Sequence, residues 1–316
     1  MQTKITSSPE QAAAVLITGG VAAFPTETVY GLGANVFDET AVGDIFRAKG
    51  RPGDNPLIVH VHDLAQLKEV ARRVPPYARR LITRFFPGPL TLVLPKHPTV
   101  PALATAGLDT VGVRMPAHPV AQRFLKACGF PVAAPSANRS GRPSPTSWQA
   151  VRRDLGGRIP CILKGTRARV GLESTVVDCS GRAPVVLRPG AVTLEELRRV
   201  VPSTRAATAR DLARGRSPGT RHRHYAPAAR VVVLAGSQDA GLTADLSRSA
   251  WIGVGRAPAG IRLARRCAGA ADYAREVFHF FRTCEAARIK VIYCEAVPER
   301  GLGVALMDRL RRAASG

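Results

Sequence analysis

The chain has 316 residues, 45% hydrophobic and 22% charged, which suits two globular domains and excludes wholesale disorder or a fibrous repeat. Its net charge of +23 comes from 46 bases, 39 of them arginine and 7 lysine, against 23 acids; this favours phosphates, nucleotides or nucleic acid as ligands, although such an arginine skew also follows from genomic base composition. Six cysteines without a C-x-x-C pair or Cys/His cluster, a six-residue N-terminal apolar run and no apolar run approaching 18 residues point to reduced buried thiols, no metal site, no membrane span and a cytoplasmic location.

In chain order, Ser8-Pro9-Glu10 supplies a cap, a proline at the first helical position and an early acid, and Gly19-Gly20 ends the helix so begun. VAAFP (21 to 25) reads as a buried strand, DETAVGDIFRAKG as a capped helix closed by Gly50, and LIVHV (57 to 61) as the next strand. Further apolar runs at 90 to 95, 111 to 116, 131 to 135, 174 to 179 and 184 to 189 alternate with helical stretches, giving one α/β domain over residues 1–201. Residues 202–229 lack apolar periodicity and hold the basic run RSPGTRHRHYAP, so they read as a linker. Strands at 230 to 234, 251 to 255 and 290 to 294, with a long helical stretch between the last two, predict a smaller Rossmann-like α/β domain over 230–316. Its Gly253-Val254-Gly255 lacks the third glycine of a dinucleotide fingerprint, which argues against a cofactor there.

No GxxxxGKS/T phosphate loop is present, so a nucleotide must be held by scattered cations and hydroxyls. Thr26-Glu27-Thr28 follows the first strand, with Gly31 and Gly33 after it permitting close backbone approach; on its own it is a tight polar turn. Lys49-Gly50-Arg51-Pro52, then Asp54-Asn55-Pro56, place two rigid cations at a helix C-terminus. They suit a triphosphate, or they satisfy that helix's last carbonyls and dipole. Alternation puts Thr110, Gly112 and Arg114 on one strand face, and an inward arginine needs an anion, which a protein carboxylate also supplies. Ser136, Asn138 and Ser144 stand in Pro- and Gly-rich segments that turns also use, and Glu173-Ser174 and Arg188 flank later strands in the same style.

Taken together and in order, FPTETVYGLG, AKGRPGDNPL, PGPLTLVL, VGVRMP, PSANRSGRPSPT and ESTVVD with LRPG resemble the YrdC-domain family of threonylcarbamoyl-adenylate synthases over about residues 10 to 200. SPGTRHRHYAP and GLGVALMDRLRRAA further resemble the longer, two-domain branch of that family. The resemblance implies a YrdC-like twisted mixed sheet flanked by helices. It also implies condensation of L-threonine, bicarbonate and ATP to threonylcarbamoyl-AMP and pyrophosphate, for tRNA threonylcarbamoyladenosine modification.

By that likeness Lys49, Arg51, Ser136 and Asn138 form the catalytic set, and Arg51, Asn55, Thr110, Ser136, Ser144, Arg188 and the linker residue Tyr225 contact ATP. Thr28, His60, Arg114, Ala134 and Ser174 would contact threonine, with Arg114 clamping its carboxylate. Mg²⁺ is expected on the phosphates without a protein cage, and tRNA or the downstream threonylcarbamoyl transferase are further candidate partners. The linker is expected to close over the site as a lid. Thr220 and His222 replace the methionine and aromatic that many long-branch relatives carry there, and the C-terminal domain is short.

Two rivals remain at this stage. A non-catalytic module for double-stranded RNA or tRNA would use the charge but gives no reason for hydroxyls beside the cations. A carbamoyl-adenylate activity, as in hydrogenase-maturation proteins, would require zinc-finger and acylphosphatase segments, and these are absent from the sequence.

Overall fold

Fifteen strands and the helices between them form two sheets in this computed structural model, which describes residues 1–216, 225–235 and 245–315. The first eleven strands are β1 (Lys4–Thr6), β2 (Ala22–Phe24), β3 (Gly31–Asn35), β4 (Ile58–His60), β5 (Leu90–Pro95), β6 (Thr110–Arg114), β7 (Val132–Ala134), β8 (Cys161–Leu163), β9 (Thr175–Asp178), β10 (Val185–Arg188) and β11 (Arg205–Ala206). They make one mixed sheet in the order β1-β8-β2-β3-β7-β4-β6-β5-β9-β10-β11. The YrdC-like mixed sheet expected from the motifs is the one observed.

Period-2 alternation divides the core between the sheet's two faces. Ala22, Phe24, Val132, Ala134, Cys161 and Leu163 pack with helices Pro9–Ile17 and Pro119–Cys128 on one side. Ala23, Ala133, Ile162, Val59 and Val113 belong to the larger cluster on the other, where Val42 and Ile45 of helix Glu39–Lys49 join them. Local signals place that helix as read: the Asp38 carboxylate accepts from the Ala41 N–H, and Gly50 closes the helix at φ 61°, a conformation that needs no Cβ.

Strand β3 departs from the sequence reading, which took Gly31 and Gly33 as turn residues. A Cβ on Gly33 would lie 2.7 Å from Val132 Cγ1 and 3.0 Å from the Phe24 ring, so this glycine lets a strand pass close to its neighbours. Within the stretch read as linker, Arg205–Ala206 pairs in parallel with β10, and Ala209–Ala213 is a short helix under a Thr208 cap. Two residues are too few for a periodicity signal. Residues 217–224, with Thr220 and His222 of the expected lid, lie outside the described residues.

The second sheet holds β12 (Arg230–Leu234), β13 (Ser249–Gly253), β14 (Leu263–Arg266) and β15 (Val291–Glu295), all parallel, in the order β12-β15-β13-β14. Helices Ala270–Ala286 and Leu302–Ala314 cover one face of it. At Gly253-Val254-Gly255, Glu295 Oε2 accepts from the Val254 and Gly255 N–H groups at 2.7 Å each. A protein carboxylate thus occupies the amide pair that a dinucleotide phosphate would use.

The domains share one apolar cluster, in which Val29 and Leu172 of the first pack with Phe278 and Ala274 of the second. Gly171 lies so close that a Cβ there would come within 2.4 Å of Arg275 Cα. All six cysteines are buried and free. No helix among the described residues is long and apolar enough to cross a membrane.

Candidate active site

Strand ends and the loops leaving them line a cavity that is open to solvent on one side. Of the residues expected to bind threonine, Thr28, His60, Arg114, Ala134 and Ser174 all line it; of those expected to bind ATP, Arg51, Ser136, Arg188 and Tyr225 do. Backbone ties explain the convergence of segments so far apart in sequence. Tyr30 N–H donates to Pro145 O at 2.8 Å, Ala137 N–H to Tyr30 O at 2.8 Å, and Val170 N–H to Glu27 O at 2.8 Å.

At one end stands Arg114, the last residue of β6, 4% exposed. Its Nη2 donates to Glu27 Oε1 at 2.7 Å, Nη1 to Thr28 Oγ1 at 2.8 Å and Nε to Gly88 O at 3.3 Å. Three of a guanidinium's five N–H groups are thereby used, and Arg114 lines the cavity. Burial alone would raise the Glu27 carboxyl, but the Arg114 charge and hydrogen bonds hold it below the usual carboxylate range. The residues alone left this arginine's anion open between a ligand and a protein carboxylate, and the family resemblance gave it the threonine carboxylate; within the chain its partner is Glu27. The Ser174 hydroxyl lies 2.8 Å from that of Thr91. His60 sits edge-on to Phe24, and burial, aided by the Arg114 charge, lowers its pKa to about 3, so the ring is neutral.

The other end is built on Ser136, Arg51, Arg188 and Tyr225. Ser136 Oγ donates to Asn138 Oδ1 at 2.6 Å, and Asn138 Nδ2 donates to the Arg139 and Arg142 carbonyls at 2.8 Å. Asn138 therefore orients Ser136 from behind the wall. Arg51 donates through Nη2 to Asn55 O at 3.1 Å and Pro56 O at 3.2 Å, while its buried Nε has no hydrogen-bond partner. Burial brings its pKa down to about 10, still a cation at neutral pH. Arg188 Nη2 donates to Ser174 O at 3.0 Å, which joins the two ends.

Lys49, Asn55, Thr110, Asn138 and Ser144 do not line the cavity. The Lys49 ammonium donates to the carbonyls of Ser136 and Asn138. The alternative that it serves its own helix's carbonyls is replaced by a role under the neighbouring loop. Burial, and then the Arg51 charge, depress its pKa well below the ordinary lysine value. Thr110 Oγ1 is buried without a hydrogen-bond partner, and Ser144 donates to Glu173.

Two acids and one base escaped the sequence reading: Glu27, Glu173 and Arg309. Both acids stood inside quoted motifs beside assigned hydroxyls, which was the available signal. Arg309 stood inside the quoted C-terminal motif GLGVALMDRLRRAA, but with no assigned residue beside it. Among the described residues no group of three or more His, Cys, Asp or Glu could hold a metal ion.

Residues 14–190 match the family described as Telomere recombination, and residues 192–315 that described as Threonylcarbamoyl-AMP synthase, C-terminal domain. The threonylcarbamoyl-AMP synthase of Pyrococcus abyssi is 45% identical over 315 residues, which cover 96% of this chain and 92% of the relative. That of Bacillus subtilis is 40% identical over 331 residues, covering 98% of this chain and 94% of the relative. The crystal structure of Pyrococcus abyssi Sua5 complexed with L-threonine superposes with a TM-score of 0.90 at 43% identity, over 97% of this chain and 94% of that one.

Proposed function

The chain belongs to the threonylcarbamoyl-AMP synthase family in its two-domain form, and from that premise we propose that it condenses L-threonine, bicarbonate and ATP to threonylcarbamoyl-AMP and pyrophosphate. The observation that carries this reading is the convergence of Arg114, Thr28 and Ser174 with Arg51, Ser136 and Arg188 on one cavity. A cavity-lining guanidinium suits a carboxylate, and buried cations beside a serine suit a triphosphate. An RNA-binding surface has no use for hydroxyls enclosed with the cations, which disfavours the binding-module reading.

In this reading Arg114 takes the threonine carboxylate, with Thr28, Ser174, His60 and the Ala134 backbone around the amino acid. The threonine amine adds to bicarbonate with loss of water, giving a carbamate. A carbamate oxygen then attacks the α-phosphorus, the bond to the β-phosphate oxygen breaks, and pyrophosphate leaves. Charge grows on the phosphoryl and leaving oxygens, so fixed cations are the main catalytic need. Arg51, with its unpartnered Nε, and Arg188 meet that need, and Ser136 supplies a hydroxyl oriented by Asn138. Lys49 holds the Ser136–Asn138 backbone in place. Thr110, Asn55 and Ser144 support this end from behind.

Cations and hydroxyls dominate the nucleotide end and its lining carboxylate, Glu173, is paired with Arg309, which fits Mg²⁺ held through phosphate oxygens and water. When bound, the ion supplies charge neutralisation on the triphosphate. The enzyme is a nucleotidyltransferase in this reading and works in the cytoplasm, where its reduced thiols are stable. Its product supplies a tRNA-modifying transferase. Omitting threonine, bicarbonate or ATP in turn from a pyrophosphate-release assay tests the assignment: each omission is expected to abolish release, and release without threonine contradicts it.

A further inference from the structure

The second domain sends a fully buried cation to the nucleotide end of the cavity. Arg309, on helix Leu302–Ala314, is 0% exposed. Its Nε donates to Glu173 Oε2 at 2.8 Å and its Nη2 to Pro189 O at 3.1 Å. The guanidinium also lies 5.3 Å from the centroid of Tyr225, whose ring stacks on Phe278 at 5.4 Å and 25°. Tyr225 has φ 67°, a left-handed backbone that a non-glycine residue holds only when its surroundings impose it. Glu173 and Tyr225 both line the cavity, and Arg309 does not.

This geometry poses an electrostatic question. Glu173 presents a carboxylate to a cavity whose nucleotide ligand carries several negative charges, in a partly desolvated setting where like charges repel strongly. Ser144 donates to one of its oxygens but brings no charge. Arg309, which also pairs with its neighbour Asp308, supplies a compensating cation from the other domain, with Arg188 the further cation near Glu173.

We propose that Arg309 is a positioning residue for the nucleotide: it neutralises Glu173 and seats the Tyr225 ring, so that the C-terminal domain sets ATP affinity without touching ATP. The inference rests on the threonylcarbamoyl-AMP synthase reading and adds to it a specific role for the second domain. Arg188, also close to Glu173, is hydrogen-bonded to Ser174 and lines the cavity itself. It is a ligand contact, whereas Arg309 acts through Glu173 and Tyr225.

The test uses the full chain and measures ATP binding by calorimetry alongside KM values for ATP and threonine. Arg309→Gln is expected to weaken ATP binding by about 30-fold while moving the threonine KM less than about 3-fold. Arg309→Lys, which keeps the charge but loses the planar fork over Tyr225, should bind ATP more tightly than Arg309→Gln and more weakly than wild type. Adding Glu173→Gln to Arg309→Gln should recover most of the lost affinity, because the uncompensated charge is then gone. A merely structural role for Arg309 predicts no such recovery. Unchanged ATP affinity in Arg309→Gln, or a loss that Glu173→Gln does not relieve, overturns the proposal. Should Arg309→Gln fail to fold, the double variant is compared with Glu173→Gln alone: equal ATP affinity supports the proposal, and about tenfold weaker binding in the double variant overturns it. A wild-type chain that binds ATP but releases no pyrophosphate defeats the functional reading and leaves this test standing; one that binds no ATP defeats both.

Discussion

At the Arg114 end of the cavity, cation, carboxylate and hydroxyl all come from the first domain: Arg114 from β6, Glu27 and Thr28 from the loop after β2. At the Glu173 end the carboxylate and the Ser144 hydroxyl belong to the first domain, but the buried cation is Arg309 of the second. Both ends pair a carboxylate with a guanidinium so that neither charge is buried alone, which would cost several kcal/mol. They differ in what the pairing serves. In the proposed assignment, Glu27 aims an arginine at the amino acid, and Arg309 masks an acid that would otherwise repel the nucleotide. On that proposal the amino-acid end is complete within one domain, and the nucleotide end needs both.

Lys49 stands under the loop that carries Ser136, and its loss is the harshest test of that division. Lys49→Ala leaves the Ser136 and Asn138 carbonyls without their donor, and pyrophosphate release is expected to fall by more than about 1000-fold with a cooperative melting transition retained. Full activity in this variant would remove Lys49 from the catalytic machinery. Arg114→Ala separates the two ends. It is expected to cost about 100-fold in kcat/KM for threonine and about 3 kcal/mol of stability, because Glu27 is left buried without its partner, while ATP binding changes little. Equal losses for both substrates would show that the ends are not independent.

The smallest expected effect is one of pH. His60 is neutral in the folded protein, with its pKa lowered to about 3 by burial and then by the Arg114 charge. The unfolded chain binds that proton near the ordinary histidine value. Stability associated with His60 is therefore intact above about pH 6.5 and is lost as pH falls toward 3, by about 2 kcal/mol at pH 5. Denaturant melts of His60→Gln should show less acid destabilisation between pH 6.5 and 5 than wild type, and identical slopes would refute the burial account.

The strands of the first domain were legible where apolar and β-branched residues clustered between turn residues, as at β5 and β9. They were not legible where the reason for the sequence lay in another strand. Gly33 was read as allowing close backbone approach within a turn, and only its distance to Val132 shows that the close neighbour belongs to another strand. β1, β8 and β11, of two or three residues each, are held by partners rather than by any pattern of their own. In the site, Arg114 and the cations after helix Glu39–Lys49 could be named as candidates, but motif resemblance rather than periodicity placed them together. Glu27 lies 87 residues from Arg114, and Glu173 136 residues from Arg309. Pairings of that span are set by topology, and one sequence does not display them.

The most direct measurement of the central claim supplies ¹³C-labelled bicarbonate, L-threonine and ATP to the purified full chain and identifies the nucleotide product by mass spectrometry. The account predicts an adenylate that contains threonine and one labelled carbon, formed in step with pyrophosphate. An unlabelled adenylate, or pyrophosphate released without an adenylate carrying threonine, would contradict it.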